Sequence, residues 1–373
     1  MGFIADIFHF GHNSTHANVH KYEVNSILNR NKHYEFDNIY EFKNKKTNHQ
    51  ELFYRNSDLI KTVSLNKIYK GKLLMWYHLS SKNSNFTNEY IDVAVKIIED
   101  SDAAENQNNE PEMLYCLKDE PEIIYQFGYH IDVSNKRCII ALELCKGGDL
   151  FNYVETNFKY SSKEIKVTYS KCDVKNIVRW LVQCINKCHK KNICHMDLKL
   201  DNIMLYTENR DNPFDTSILR LIDFGGAKLI KDDGKNIKYS YICTSPHYAS
   251  PEVINAFQIP IKWKSLRNYE LTGENLCKID VWHIGVIAYI LLYGRYPFDY
   301  TNANQSPKIN KNIEIFKEIR KCKYPEFTKI SDVNGDLLCD EDGIDFIKKS
   351  MCFDPSERAT ISDLINHSWL KIS

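Results

Sequence analysis

The chain has 373 residues, 43% of them hydrophobic, with 49 Lys and Arg balanced by 49 Asp and Glu. That length exceeds what one growing core supports, so two lobes or domains are expected. Zero net charge argues against bulk electrostatic binding to nucleic acid or an anionic membrane, though not against local patches. The 12 cysteines are scattered without a C-x-x-C pair, so they read as reduced thiols rather than a disulfide or zinc framework. Asp6 interrupts the apolar run near Met1 and also occupies the position where a myristoylation signal needs Ser or Thr. The longest apolar stretch, Ile284 to Tyr293, is too short to span a bilayer. These features together predict a soluble, intracellular chain.

Residues 1 to 62 are polar and rich in Asn, Lys and His, and they read as an extension, partly disordered or packed on the neighbouring lobe. Residues 63–143 have a strand-like pattern with one helix candidate around 110–119. Val93-Ala94-Val95-Lys96-Ile97-Ile98 is an apolar run in which Lys96 is the only charge. From 144 to 373 helical periodicity dominates. Ile177, Leu181, Cys184, Ile185 and Cys188 recur at helical spacing just before His195. Leu219, Leu221 and Ile222 read as a buried strand. Two long polar connections, Thr207 to Thr216 and Phe257 to Gly273, read as exposed loops. There is no internal repeat.

The most informative stretch is His195-Met196-Asp197-Leu198-Lys199-Leu200-Asp201-Asn202. It places a carboxylate, a cation and an amide within six positions. Asp223-Phe224-Gly225 follows, then Ser245-Pro246-His247-Tyr248-Ala249-Ser250-Pro251-Glu252 and Asp280-Val281-Trp282-His283-Ile284-Gly285. Arg358 and His367-Ser368-Trp369 lie near the end. In this order, after Val93–Ile98, the motifs resemble the V-A-I-K strand, catalytic loop, D-F-G, A-P-E, D-x-W-x-x-G and H-x-W elements of the eukaryotic protein kinases. The Lys at 199 resembles the Ser/Thr type. Ser245 to Tyr248 and Gly285 to Phe298 are most similar to the calmodulin-dependent and AMP-activated group.

The resemblance implies an α+β, two-lobed kinase fold: a small antiparallel-sheet lobe with one helix and a larger, mainly helical lobe. It implies ATP and Mg²⁺ as cofactors and a protein carrying a Ser or Thr acceptor as partner. Asp197 would be the base and Lys199 would neutralise the moving phosphoryl. Asn202 and Asp223 would hold Mg²⁺. Lys96 would contact the α- and β-phosphates and needs a carboxylate, with Glu110 aligning best and Glu112 as the alternative. Leu142, Glu143 and Cys145 would line and hydrogen-bond adenine, Met204 would form the floor beneath it, and Asp149 would reach the ribose or a basic substrate residue. Asp149 and Asp201 suggest a preference for Arg or Lys before the target. Glu252 would pair with Arg358, and Ser245 would contact Asp197 and Lys199. Oligomeric state stays open.

Two departures stand out. In place of G-x-G-x-x-G only Ser64 to Leu73 is available, with Gly71 as the third glycine and Asn66 and Ile68 in the other two places. The family usually has Arg where Met196 stands, and that Arg pairs with a phosphorylated residue of the activation segment. Tyr241 occupies the equivalent phosphosite position. Activity without that phosphorylation is therefore expected. The rival expectation is a pseudokinase that acts as a nucleotide-binding or protein-interaction scaffold.

Overall fold

The computed structural model describes residues 38–44, 47–63, 66–76, 88–99, 110–132, 135–160, 165–207, 216–230, 237–239, 245–256, 269–271, 273–299, 311–321 and 323–371. Tyr241 and most of the two long polar connections lie outside the described residues. The chain divides into two compact units. One holds residues up to 115 together with 124–145, and the other holds 116–123 with residues from 146 onward.

The first unit is built on a six-stranded antiparallel sheet. Its strands are β1 (Asn38–Asn44), β2 (Thr47–Val63), β3 (Asn66–Trp76), β4 (Asn88–Glu99), β5 (Gln126–Asp132) and β6 (Arg137–Glu143), in the order β1-β2-β3-β4-β6-β5. Among the described residues the sheet begins at Asn38, so it includes residues that by their polarity read as extension. Period-two alternation explains the core. Val93, Val95 and Ile97 point to one face, where they pack with Leu52, Tyr54, Tyr69, Leu73, Ile139 and Ala141. Lys96 therefore points to the other face. Helix α1 (Glu110–Cys116) buries Glu110, Met113 and Leu114. Pro111 sits in its first turn, where a missing N–H costs nothing.

The second unit is mainly helical. In chain order it holds α2 (Leu150–Asn157), the ribbon β7 (Phe158–Tyr160) and β8 (Ile165–Val167), and α3 (Lys171–Lys190). Short strands follow: β9 (Ile193–Cys194), β10 (Ile203–Leu205), β11 (Leu219–Leu221), β12 (Lys228–Leu229) and β13 (Ile237–Tyr239). Then come α4 (Pro251–Ala256), β14 (Tyr269–Leu271), α5 (Gly273–Tyr293), α6 (Lys311–Arg320), α7 (Glu341–Ser350) and α8 (Ile361–Ile365). A capping box between Ser170 and Asp173 starts α3, and its buried stripe includes Ile177, Leu181, Ile185 and Cys188. Helix α5 is apolar nearly all round. Its length and composition would suit a membrane span, but its side chains from Leu276 to Tyr293 are almost all buried, which makes it the core helix of this unit. Gly285 of α5 admits the chain at Ser350 and Met351, since a Cβ there would meet both at 2.5 Å. Arg358 reaches back to Glu252 with two bonds of 2.7 and 2.9 Å and lies over the Trp282 ring.

Candidate active site

The first unit supplies a buried ion pair. Lys96 Nζ donates to both carboxylate oxygens of Glu110, at 2.8 and 2.7 Å. Both side chains are nearly sealed from water, at 7% and 1% exposure. Glu112, on the exposed side of α1, is not the partner. Strand register sets Ile68 of β3 and Ile140 of β6 on either side of Lys96, and Leu142 beside Ala94. Leu142 is buried, while Glu143 and Cys145 are half-buried where the chain leaves β6.

The β2–β3 ladder ends with Val63 paired to Asn66, and all three positions expected for the glycine motif, Asn66, Ile68 and Gly71, lie in β3. Gly71 is a mid-strand residue, paired with Tyr54 on one side and Val93 on the other. It lies five residues beyond Asn66, and it is the only glycine in the segment from Ser64 to Leu73.

The second unit supplies the loop from 195 to 202. Asp197 is the centre of its polar side. Lys199 Nζ donates to Asp197 Oδ2 at 2.6 Å and to Ser245 Oγ at 3.1 Å. Ser245 N donates to Asp197 Oδ1 at 3.2 Å. Burial works against a charge on Lys199, but the carboxylates of Asp197, Asp223 and Asp201 raise its pKa and keep it cationic. Asn202 Nδ2 donates to the Asp197 carbonyl at 2.8 Å, which leaves the amide oxygen as the atom Asn202 can present to a cation. Asp223 has left-handed backbone, φ 64° and ψ 72°, a strained state for a residue other than glycine. An amide oxygen and a carboxylate are hard donors that fit Mg²⁺.

The other side of the loop is anchored to α5. Asp280 accepts the N–H groups of His195 and Met196 at 2.9 and 2.8 Å, and His189 Nε2 at 2.8 Å. Burial opposes ionisation of Asp280, yet the hydrogen bond and charge of His189 hold its carboxyl below the usual range. Burial likewise opposes a charge on His189, and the bond to Asp280 pushes its pKa up to about 10. Met196 is fully buried at φ 70° in an apolar cluster with Cys194, Val253, Leu276 and Ile279. His195 bonds the Ile222 carbonyl at 3.0 Å and meets the Phe224 ring edge-on.

Met204, half-buried in β10, pairs with Asp149 through an isolated bridge. Asp149 caps α2: its oxygens accept Asn152 N at 2.8 Å and Asn152 Nδ2 at 2.7 Å. Gly147 allows a close crossing there, because a Cβ would lie 2.2 Å from the Thr207 carbonyl. Sequence reasoning did not identify Asp280 as the buried anchor of the loop. Its signal was a lone acid before an apolar helix run. Nor did it foresee the grouping of His189, Cys194 and Cys277. The foremost influence on Cys277, a hydrogen bond from Cys194, lowers its pKa despite burial, and His189 adds to the effect.

The protein kinase domain family matches residues 82–370. Similar proteins include myosin light chain kinase A of Dictyostelium discoideum, 31% identical over 236 residues, which are 63% of this chain and 64% of that one. Calcium-dependent protein kinase 5 of Plasmodium falciparum is 28% identical over 279 residues, 74% of this chain and 40% of that one. NUAK family SNF1-like kinase 1 of Mus musculus is 28% identical over 243 residues, 65% of this chain and 29% of that one. The aligned segment thus spans less than two thirds of each relative's length. The match over most of the chain, with a sheet unit carrying Lys96 and a helical unit carrying the loop around Asp197, shows that this chain belongs to the protein kinase domain family.

Proposed function

We propose that the chain is a protein serine/threonine kinase that moves the γ-phosphoryl group of ATP to a hydroxyl of a protein substrate. The observation that carries the reading is the arrangement at Asp197. One carboxylate oxygen is tied to Lys199 and the other to Ser245, while Asn202 holds its carbonyl. A carboxylate fixed this way is oriented before substrate arrives. Asp197 takes the proton of the attacking hydroxyl, whose oxygen bonds to the γ-phosphorus as the bond to the β-phosphate oxygen breaks. ADP leaves with that electron pair. Lys199 offsets charge on the transferred oxygens. Lys96, held by Glu110, contacts the α- and β-phosphates. Asn202 and Asp223 are the residues that would hold Mg²⁺, which when bound neutralises phosphate charge. Leu142, Glu143, Cys145 and Met204 serve the adenine, with Asp149 both a helix cap and a candidate ribose contact. The similarity to a calcium-dependent protein kinase and an SNF1-like kinase supports a Ser or Thr acceptor.

The second reading, a nucleotide-binding scaffold, draws on the β2–β3 turn, whose flanking residues Val63 and Asn66 are not glycines. Glycine lets backbone approach phosphate closely, so the clamp is weaker here. The test is labelled γ-phosphoryl transfer to a basic protein, wild type against Asp197→Asn. The kinase reading expects transfer by wild type and a loss of about 10²–10⁴-fold in the variant. Equal incorporation in both supports the scaffold instead.

A further inference from the structure

Beneath the loop, three side chains that phosphoryl transfer does not use come together. Cys194 ends β9 and directly precedes His195. Cys277 lies near the start of α5, with its Sγ 3.5 Å from Cys194 Sγ. His189 lies in the last turn of α3. One ligand atom from each falls within 4.8 Å of the other two. Two thiolates on a tetrahedral zinc with bonds of about 2.3 Å stand about 3.8 Å apart, close to the observed spacing. The thiols are not joined as a disulfide.

The histidine is oriented as a ligating histidine is. Its Nε2 is held by Asp280 at 2.8 Å, the carboxylate partner that fixes the ring of a metal-bound imidazole. Its Nδ1 is buried on the side of the Cys277 thiol, so the imidazole and thiol face each other in the arrangement a shared cation can bridge. Cys194 is fully buried and Cys277 half-buried, which leaves an approach from the Cys277 side.

We propose that His189 Nδ1, Cys194 Sγ and Cys277 Sγ form a site for a thiophilic divalent cation of the Zn²⁺ class. Three protein ligands leave the fourth tetrahedral position to water. Binding displaces the thiol protons and any proton on Nδ1. Because Asp280 also holds the N–H groups of His195 and Met196, the cation ties the base of the loop to α3 and α5. The site stands apart from the Asn202 and Asp223 pair in donor chemistry, sulfur and nitrogen against oxygen.

The full chain, reduced and freed of metal, is titrated with Co²⁺ in excess Mg²⁺. The proposal expects about one equivalent to bind with intense tetrahedral visible bands and thiolate-to-cobalt charge transfer, both abolished by Zn²⁺. Cys277→Ser should weaken binding by at least about tenfold, while the exposed Cys116→Ser should not change it. Only the faint bands of an all-oxygen cobalt site would overturn the proposal, as would unchanged binding in a folded Cys277→Ser. The wild-type spectrum decides even if a variant fails to fold. It is also independent of whether the chain transfers phosphate.

Discussion

The two sides of the loop from 195 to 202 are built on opposite principles. On one side Asp197, Lys199, Asn202 and Ser245 form a polar network around a single carboxylate. On the other, Met196 is sealed among Cys194, Val253, Leu276 and Ile279, and only backbone N–H groups reach a charge, that of Asp280. The difference teaches that the loop's chemistry and its control are separable. The chemical side holds the groups proposed to carry phosphoryl transfer. The other side has hydrocarbon at Met196, and it is expected to act as a fixed mount.

That contrast breaks most visibly at Met196. Met196→Arg would bury a charge with no partner in an apolar cluster. The expected cost is about 3–5 kcal/mol of stability, read from denaturant unfolding. An unchanged midpoint would mean that the cluster opens to water. On the chemical side, Asp197→Asn should do the reverse: lose transfer and keep its melting temperature.

The buried Lys96–Glu110 pair sharpens the same contrast in the first unit. Glu110→Gln leaves Lys96 charged and half-partnered, and should lower transfer by about 10-fold or more while destabilising the unit by a few kcal/mol. Glu112→Gln, at an exposed position, should stay within about 0.5 kcal/mol of wild type in thermal melts. Equal effects of the two would reassign the partner.

A further effect comes from His283, buried near Asp280, Asp197, His195 and Glu252. Both its ring nitrogens lack a hydrogen-bond partner. Burial disfavours its charged form first of all, and lowers its pKa from 6.5 to about 4. The folded state therefore binds this proton less readily than the unfolded chain does. The contribution to stability is whole above pH 6.5 and is lost as pH falls toward 4, on the order of 3 kcal/mol in all. His283→Ser should flatten the unfolding free energy across that window. An unaltered acid slope would assign the loss to other groups.

Much of the candidate site's geometry was legible because the proposed chemistry needs fixed residue types at short offsets. Asp197, Lys199 and Asn202 are local neighbours, and Asp223 follows one hairpin later. Even Glu252 and Arg358, 106 positions apart, could be paired because each sits in a motif of its own. Glu110 was legible only as the better of two acids, since Pro111 obscured where α1 begins. Residues 38–62 were not legible as strands. Their polar composition hides a ladder held by backbone hydrogen bonds, with Leu52 and Tyr54 as its buried residues. At Gly71 the residue type was visible, while its mid-strand register was not. Cys194 and Cys277, 83 positions apart, meet only because β9 packs beside α5, a tertiary fact with no local pattern.

The central claim is that the loop is mounted on hydrocarbon and works without a phosphate. Its most direct test is labelled γ-phosphoryl transfer by wild-type protein before and after treatment with a phosphatase, with full dephosphorylation checked by mass. The account predicts the same rate in both samples. A loss of activity that tracks a phosphorylated residue between positions 226 and 245 would contradict it.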